Sequence, residues 1–235
     1  MSEYISCERV DFCPGDNIDG YTVDRLLGEG TFGRVYKVRG KDGFFALKLL
    51  KLWEGLVADR QNLIKRFDRE FETGKINSNY LVHSLKKGFV RGNPYILMEY
   101  CSGGDLLSVS ETRAIDYVAI ASDILFGLKD LHVNGKIHRD LKPENVLLKD
   151  GDHAVLTDFG ITGDQNNRLT QRGILGVPLE RFGTYAYMPP EQINPPRSRN
   201  ATVLPTTDIF SFGVVMYQLL TRELPFGPLE NEKDL

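Results

Sequence analysis

The sequence predicts an α+β chain in two parts: a small antiparallel β-sheet carrying one main helix, then a mostly helical part. Three observations predict it. Between 21 and 98, short β-like runs are broken by glycine-bearing turns, with one helix-period segment among them. From 105 onward, apolar residues recur at helical spacing, most clearly over 115–131. A second apolar stretch, 209–220, is too short to cross a bilayer, contains Ser211 and Gln218, and reads as a buried helix.

At 235 residues the chain can hold one ordinary domain or two small lobes. Its 41% hydrophobic and 26% charged content is that of a globular protein. A net charge of −3 gives no reason to expect nucleic acid or an anionic membrane as the main partner. The start, Met-Ser-Glu-Tyr-Ile-Ser, lacks a basic region followed by an apolar core, so no secretory signal is expected. Cys7, Cys13 and Cys101 lack metal-ligand spacing, and free thiols in a reducing cytosol are expected.

The first part begins with strands over 21–27 and 34–38, joined by Gly28-Glu29-Gly30-Thr31-Phe32-Gly33. Glycines there let backbone amides approach phosphate oxygens with no Cβ in the way. The same spacing opens dinucleotide-binding units, but there it leads into a helix; here a second strand follows, with Val35 two residues past the last glycine. A strand over 44–50 carries one cation, Lys48, in an apolar run. A helix over about 57–75 follows, its buried face marked by Leu63, Ile64, Phe67 and Phe71. Glu70 falls on that face and Glu72 does not; Gly74-Lys75 suggests an early stop. Runs 81–85 and 94–98 read as further strands around the turn Gly92-Asn93.

In the second part, Ser108 and Glu111 have capping-box spacing. Ile115, Val118, Ser122, Leu125, Leu128 and Leu131 form the expected buried stripe of a long helix, ended by Asn134-Gly135. Then comes His138-Arg139-Asp140-Leu141-Lys142-Pro143-Glu144-Asn145, and, after a short strand at 154–157, Asp158-Phe159-Gly160. This places a carboxylate able to orient a hydroxyl, a cation able to touch phosphate, and an amide and second carboxylate able to hold a divalent cation.

Those motifs, with the glycine turn and Lys48, resemble the eukaryotic-like (Hanks-type) serine/threonine protein kinase catalytic domain, from about residue 21 to the end of the chain. The resemblance implies a two-lobed fold: an N-terminal extension at 1–20, an N-lobe at 21–98, a hinge at 99–104 and a C-lobe at 105–235. It implies ATP and Mg²⁺ as cofactors and protein substrates with Ser/Thr acceptors, and leaves the oligomeric state open; the cytoplasmic location is expected from the cysteines and the lack of a secretory signal. Catalytic roles fall on Asp140, Lys142, Lys48 and its partner Glu70. Nucleotide contacts fall on Gly28, Glu29, Gly30, Thr31, Phe32, Gly33, Val35, Ala46 and Lys48. They continue with Met98 as gatekeeper, the backbone of Glu99 and Cys101 at adenine, and Asp105 at the ribose or as a helix cap. Asn145 and Asp158 are the implied Mg²⁺ ligands.

Lys142 and Gly183-Thr184 match the Ser/Thr branch, and Ile161 implies a leaning towards Thr. Arg139 is the type of residue that binds a phosphorylated activation segment; Glu180 occupies the usual phosphosite and Thr170 is the rival site. Asp208 is expected to hold the backbone of the catalytic loop. The family continues with helices beyond the equivalent of Leu235, so the domain is expected to be C-terminally incomplete. The alternative reading is a kinase-shaped interaction module without catalysis, whose mark would be a lost Lys48, Asp140 or Asn145.

Overall fold

The structure is a computed structural model that describes residues 7–54, 59–149, 151–159, 186–193 and 204–227. The chain divides into two compact units, one of Met1–Lys75 with Val82–Cys101, the other of Ile76–Leu81 with Ser102–Leu235.

The first unit is a six-stranded antiparallel sheet in the order β1-β2-β3-β4-β6-β5. Its strands are β1 (Asn17–Ile18), β2 (Tyr21–Glu29), β3 (Gly33–Gly40), β4 (Gly43–Leu50), β5 (Ser84–Val90) and β6 (Asn93–Glu99). Alternate residues of β3, Tyr36 and Val38, join Val23, Leu47, Leu49, Tyr95 and Leu97 in one core. Residues 7–18, set apart in the sequence as an extension, add Val10 and Ile18 to that core.

Helix α1 (Arg60–Thr73) buries Phe67, Glu70, Phe71 and Thr73. It ends at Gly74, whose carbonyl accepts from Ser84 N at 2.8 Å instead of continuing the helix, and where a Cβ would lie 2.1 Å from Ser84 Oγ. The expected strand at 81–85 is displaced: β5 starts at Ser84 and runs to Val90. Buried Leu81 instead makes an isolated bridge to Leu156 in the second unit's own fold, and the exposed Lys86 and Lys87 belong to an edge strand that needs no apolar run.

The second unit is built on α2 (Leu106–Thr112), α3 (Tyr117–Val133), α4 (Pro190–Ile193), α5 (Pro205–Thr221) and the hairpin β7 (Val146–Leu148)–β8 (Ala154–Leu156). The capping box expected at Ser108–Glu111 does not form. Asp105 caps α2 instead, its carboxylate accepting from Ser108 N (2.9 Å) and Ser108 Oγ (2.8 Å), and Asp116 caps α3.

The face of α3 is also rotated from the expected one. Ile120, Ile124, Gly127, Leu128 and Leu131 are buried, whereas Val118 and Leu125 are exposed. Gly127 decides this. A Cβ there would stand 2.9 Å from both Leu156 Cδ1 and Tyr80 O, so only glycine permits that closeness, and the helix turns this face inward. Gly135 ends the helix at φ 67°, as its sequence position predicts. Helix α5 buries Thr207, Asp208, Ser211, Val214, Val215 and Leu219 as one stripe and leaves Ile209, Tyr217 and Leu220 exposed.

Candidate active site

In the first unit, β2 and β3 form the glycine hairpin, with Glu29 opposite Arg34 and Gly28 opposite Val35. Gly30 N donates to Gly33 O (2.9 Å) and closes the turn. The three glycines differ physically. A Cβ on Gly28 or Gly30 would meet nothing within 4 Å, leaving the open approach a phosphate needs, whereas one on Gly33 would lie 2.8 Å from Leu49 O. Thr31 is exposed at the tip and Phe32 half-buried; Phe32 O accepts from Lys51 N at 2.8 Å.

Lys48 lies in β4 between Val35 of β3 and Ile96 of β6. Its Nζ donates to Glu70 Oε1 at 2.6 Å, with both side chains nearly buried. Taking two charges out of water roughly cancels their attraction, so such a pair is weak evidence for stability and better evidence for a function that needs the cation held in place. Further along the same strands, Ala46 pairs with Met98, and both are buried. Glu99 N donates to His83 O (3.0 Å) while Glu99 Oε1 accepts from His83 N (2.7 Å); the Cys101 thiol is buried.

In the second unit, residues 138–145 are fixed from three sides. Asp208, fully buried on α5, accepts from His138 N (2.9 Å) and Arg139 N (2.8 Å) and lies 2.7 Å from His132 Nε2. Arg139 sits at φ 67°, a left-handed backbone that an arginine adopts only when held there. Gln192 Nε2 donates to Arg139 O at 3.2 Å. On the other side of the loop, Asn145 Nδ2 donates to Asp140 O (2.7 Å) and to Asp140 Oδ2 (3.2 Å). Asn145 N in turn donates to Lys142 O (2.9 Å), in a short 3₁₀ turn started by Pro143.

Asn145 is coupled to the strand before Asp158, because Thr157 N donates to Asn145 O at 3.0 Å. Asp158 itself stands at φ 61°, and the ring of Phe159 packs edge-on against His138 (5.9 Å). With its nitrogen engaged by Asp140, the Asn145 amide offers oxygen as its metal-binding atom, and Asp158 offers a carboxylate. These hard donors suit Mg²⁺, which keeps water and phosphate oxygens as its other ligands. The described residues contain no cluster of three or more His, Cys, Asp or Glu that would enclose a metal alone.

Sequence reasoning missed His132, Gln192, Arg34 and Lys51. For His132 a signal existed: it lies in the last turn of α3, six residues before His138. Gly160, Ile161, Thr170, Glu180, Gly183 and Thr184 lie outside the described residues.

The protein kinase domain family matches residues 21–235. The chain is 34% identical over 226 residues to serine/threonine-protein kinase pkn3 of Myxococcus xanthus, covering 88% of this chain and 38% of that protein. It is 32% identical to the probable serine/threonine-protein kinase PknB of Lactococcus lactis, covering 88% of this chain and 32% of that one. It is 31% identical to human ribosomal protein S6 kinase alpha-2, covering 86% and 27%. The chain thus spans well under half the length of these relatives. Among solved structures it resembles a double mutant of the Mycobacterium tuberculosis PknI kinase domain, with TM-score 0.68 and 26% identity, covering 93% of this chain and 82% of that one. No helix among the described residues is long and apolar enough to cross a membrane. The relatives are protein kinases from bacteria and animals, and the match takes in all but the first residues: the chain belongs to the protein kinase domain family.

Proposed function

We propose that this chain transfers the γ-phosphoryl group of ATP to serine or threonine hydroxyls of protein substrates. The observation that carries the reading is the grip of the Asn145 amide on both the backbone and the carboxylate of Asp140. It ties the group that would take the substrate proton to a group that would hold metal. Lys48, kept in place by Glu70, grips the nucleotide phosphates, and the glycine hairpin covers them with backbone amides. Val35, Ala46 and Met98 line the adenine, the backbone of Glu99 and Cys101 binds its edge, and Asp105 reaches the ribose besides capping α2.

Asp140 orients the acceptor hydroxyl and accepts its proton as the new oxygen–phosphorus bond forms and the bond to the β-phosphate oxygen breaks, leaving ADP. Lys142 stabilises the charge on the group in transit. Mg²⁺, held through Asn145 and Asp158, supplies neutralisation of the phosphate charge. The chain's three cysteines lack metal-ligand spacing, and it is assigned to the cytosol, where ATP and reducing conditions are both at hand.

The test is incubation with γ-labelled ATP, Mg²⁺ and a generic basic protein, followed by hydrolysis and separation of phosphoamino acids. Label on phosphoserine and phosphothreonine is the expected result. Label on phosphotyrosine would overturn the acceptor class, and absence of label would favour a non-catalytic interaction module.

A further inference from the structure

Residues 7–13 precede the region matched by the kinase family, yet they are folded onto the first unit. The Cys7 thiol donates weakly to Gly92 O (3.5 Å), Glu8 N donates to Arg91 O (3.1 Å), and the Asn93 amide nitrogen donates to Glu8 O (2.8 Å). Val10 is fully buried in the core, and Phe12 packs edge-on against Tyr36 at 5.6 Å. The segment therefore forms a strap running from the β5–β6 turn to β3.

At its far end the strap meets Arg34, the residue directly after the last glycine of the loop. Arg34 Nη1 donates to Val10 O (2.9 Å) and to Asp11 Oδ1 (2.6 Å), and its Nε lies 3.0 Å from Glu29 Oε2. The guanidinium is nearly buried, 5.8 Å from the Trp53 ring centre. Glu29, between the first two glycines, also pairs with Lys51 Nζ (3.0 Å), and Lys51 pairs with Glu54 (2.9 Å). One buried cation is thus shared by two carboxylates, Asp11 on the strap and Glu29 on the loop. The planar fork of an arginine fixes the positions of both partners, so moving one redirects the other.

The last glycine of the turn is held against Leu49, but the first two face open space, so the ion pairs of Glu29 between them are what fix that part of the turn. We propose that Asp11, acting through Arg34, is a positioning residue for the glycine loop, so that the strap sets how firmly the loop grips the phosphates of ATP. The proposal rests on the ATP-binding reading above. It concerns only ligand groups under the loop, so adenosine, which has no phosphates, should not sense it.

The test uses the full chain with Asp11→Ala, Asp11→Glu, Glu29→Gln and the Asp11→Ala/Glu29→Gln double variant. Dissociation constants for Mg²⁺·ATP and for adenosine are measured by calorimetry, alongside KM for ATP, kcat and the melting temperature. Asp11 is largely exposed, so its truncation should leave the fold intact. Asp11→Ala should raise the ATP dissociation constant and KM about three- to fivefold, the scale of a partly exposed ion pair, with kcat and adenosine affinity unchanged. Asp11→Glu should restore most of the ATP affinity. The double variant should show less than the product of the single effects, because both act through Arg34. Unchanged ATP affinity in Asp11→Ala, or an equal loss for adenosine, would overturn the proposal. Wild-type chain that binds adenosine but gains nothing from the phosphates would instead overturn the phosphate-gripping role of the loop, and the strap's role with it.

Discussion

Replacing Asp208 with asparagine keeps the shape of a fully buried side chain but halves its acceptors. The carboxylate takes His138 N and Arg139 N on separate oxygens, with His132 Nε2 sharing the one used by His138. In its better orientation the asparagine oxygen stays on the shared side and its NH2 faces the Arg139 N–H, donor against donor. One charge-assisted bond is lost, at about 1.5–3 kcal/mol, and the other two become neutral and weaker. A total near 3 kcal/mol is a large share of a net stability of about 5–15 kcal/mol. For a chain of this size each kcal/mol lowers Tm by about 2–4 °C, so Asp208→Asn should melt about 6–12 °C below wild type.

The same change frees Arg139 from its left-handed backbone, a conformation that costs on the order of 1–3 kcal/mol when nothing holds it. Asp140, the next residue, then loses its orientation, and kcat should fall about tenfold or more while ATP binding persists. The assay is a calorimetric melt beside steady-state kinetics. A Tm within about 1 °C of wild type together with an unchanged kcat would refute the reasoning.

Gly33→Ala should destabilise by about 1–3 kcal/mol, because its Cβ would press on the Leu49 carbonyl, whereas Gly30→Ala, which meets nothing, should leave Tm unchanged; parallel melts decide it. Lys48→Met should abolish transfer and lower stability by about 3 kcal/mol, and Lys48→Met/Glu70→Leu should regain stability without regaining activity, as a buried pair replaced by apolar groups does. Lys51 first, and Arg34 second, hold the Glu29 carboxyl below its ordinary pKa of 4.5. A lowered folded pKa means the pairing stabilises above the unfolded value and is lost as pH falls through the folded one. The Tm gap between wild type and Glu29→Gln should therefore be flat above about pH 5.5 and shrink below about pH 4.5.

The Lys48–Glu70 pair was legible because two readings meet there: the helical period puts Glu70 on the buried face of α1, and the resemblance to protein kinases gives the strand Lys48 a glutamate partner on the following helix. The face of α3 was not legible, because two apolar stripes interleave along it: Val118 and Leu125 are as apolar as Ile120 and Ile124. What selects between them is Gly127 against Leu156 and Tyr80, a long-range closeness that no local period records. The position of β5 was not legible for a similar reason, since an edge strand can carry Lys86 and Lys87 while Leu81 before it bridges to Leu156. The strap escaped notice because its charges resemble those of any solvated segment. Its trace in the sequence is the pair Val10 and Phe12 flanking Asp11, two apolar anchors around the carboxylate that meets Arg34.

The central claim is that Asp140 performs chemistry rather than binding, and Asp140→Asn measures it most directly. Its side chain touches Asn145 and lies outside the core, so the variant should fold and bind Mg²⁺·ATP as wild type does. Phosphoryl transfer to the basic protein should fall by about 10²–10⁴, the range a positioned base contributes. Equal transfer by Asp140→Asn and wild type would contradict the account.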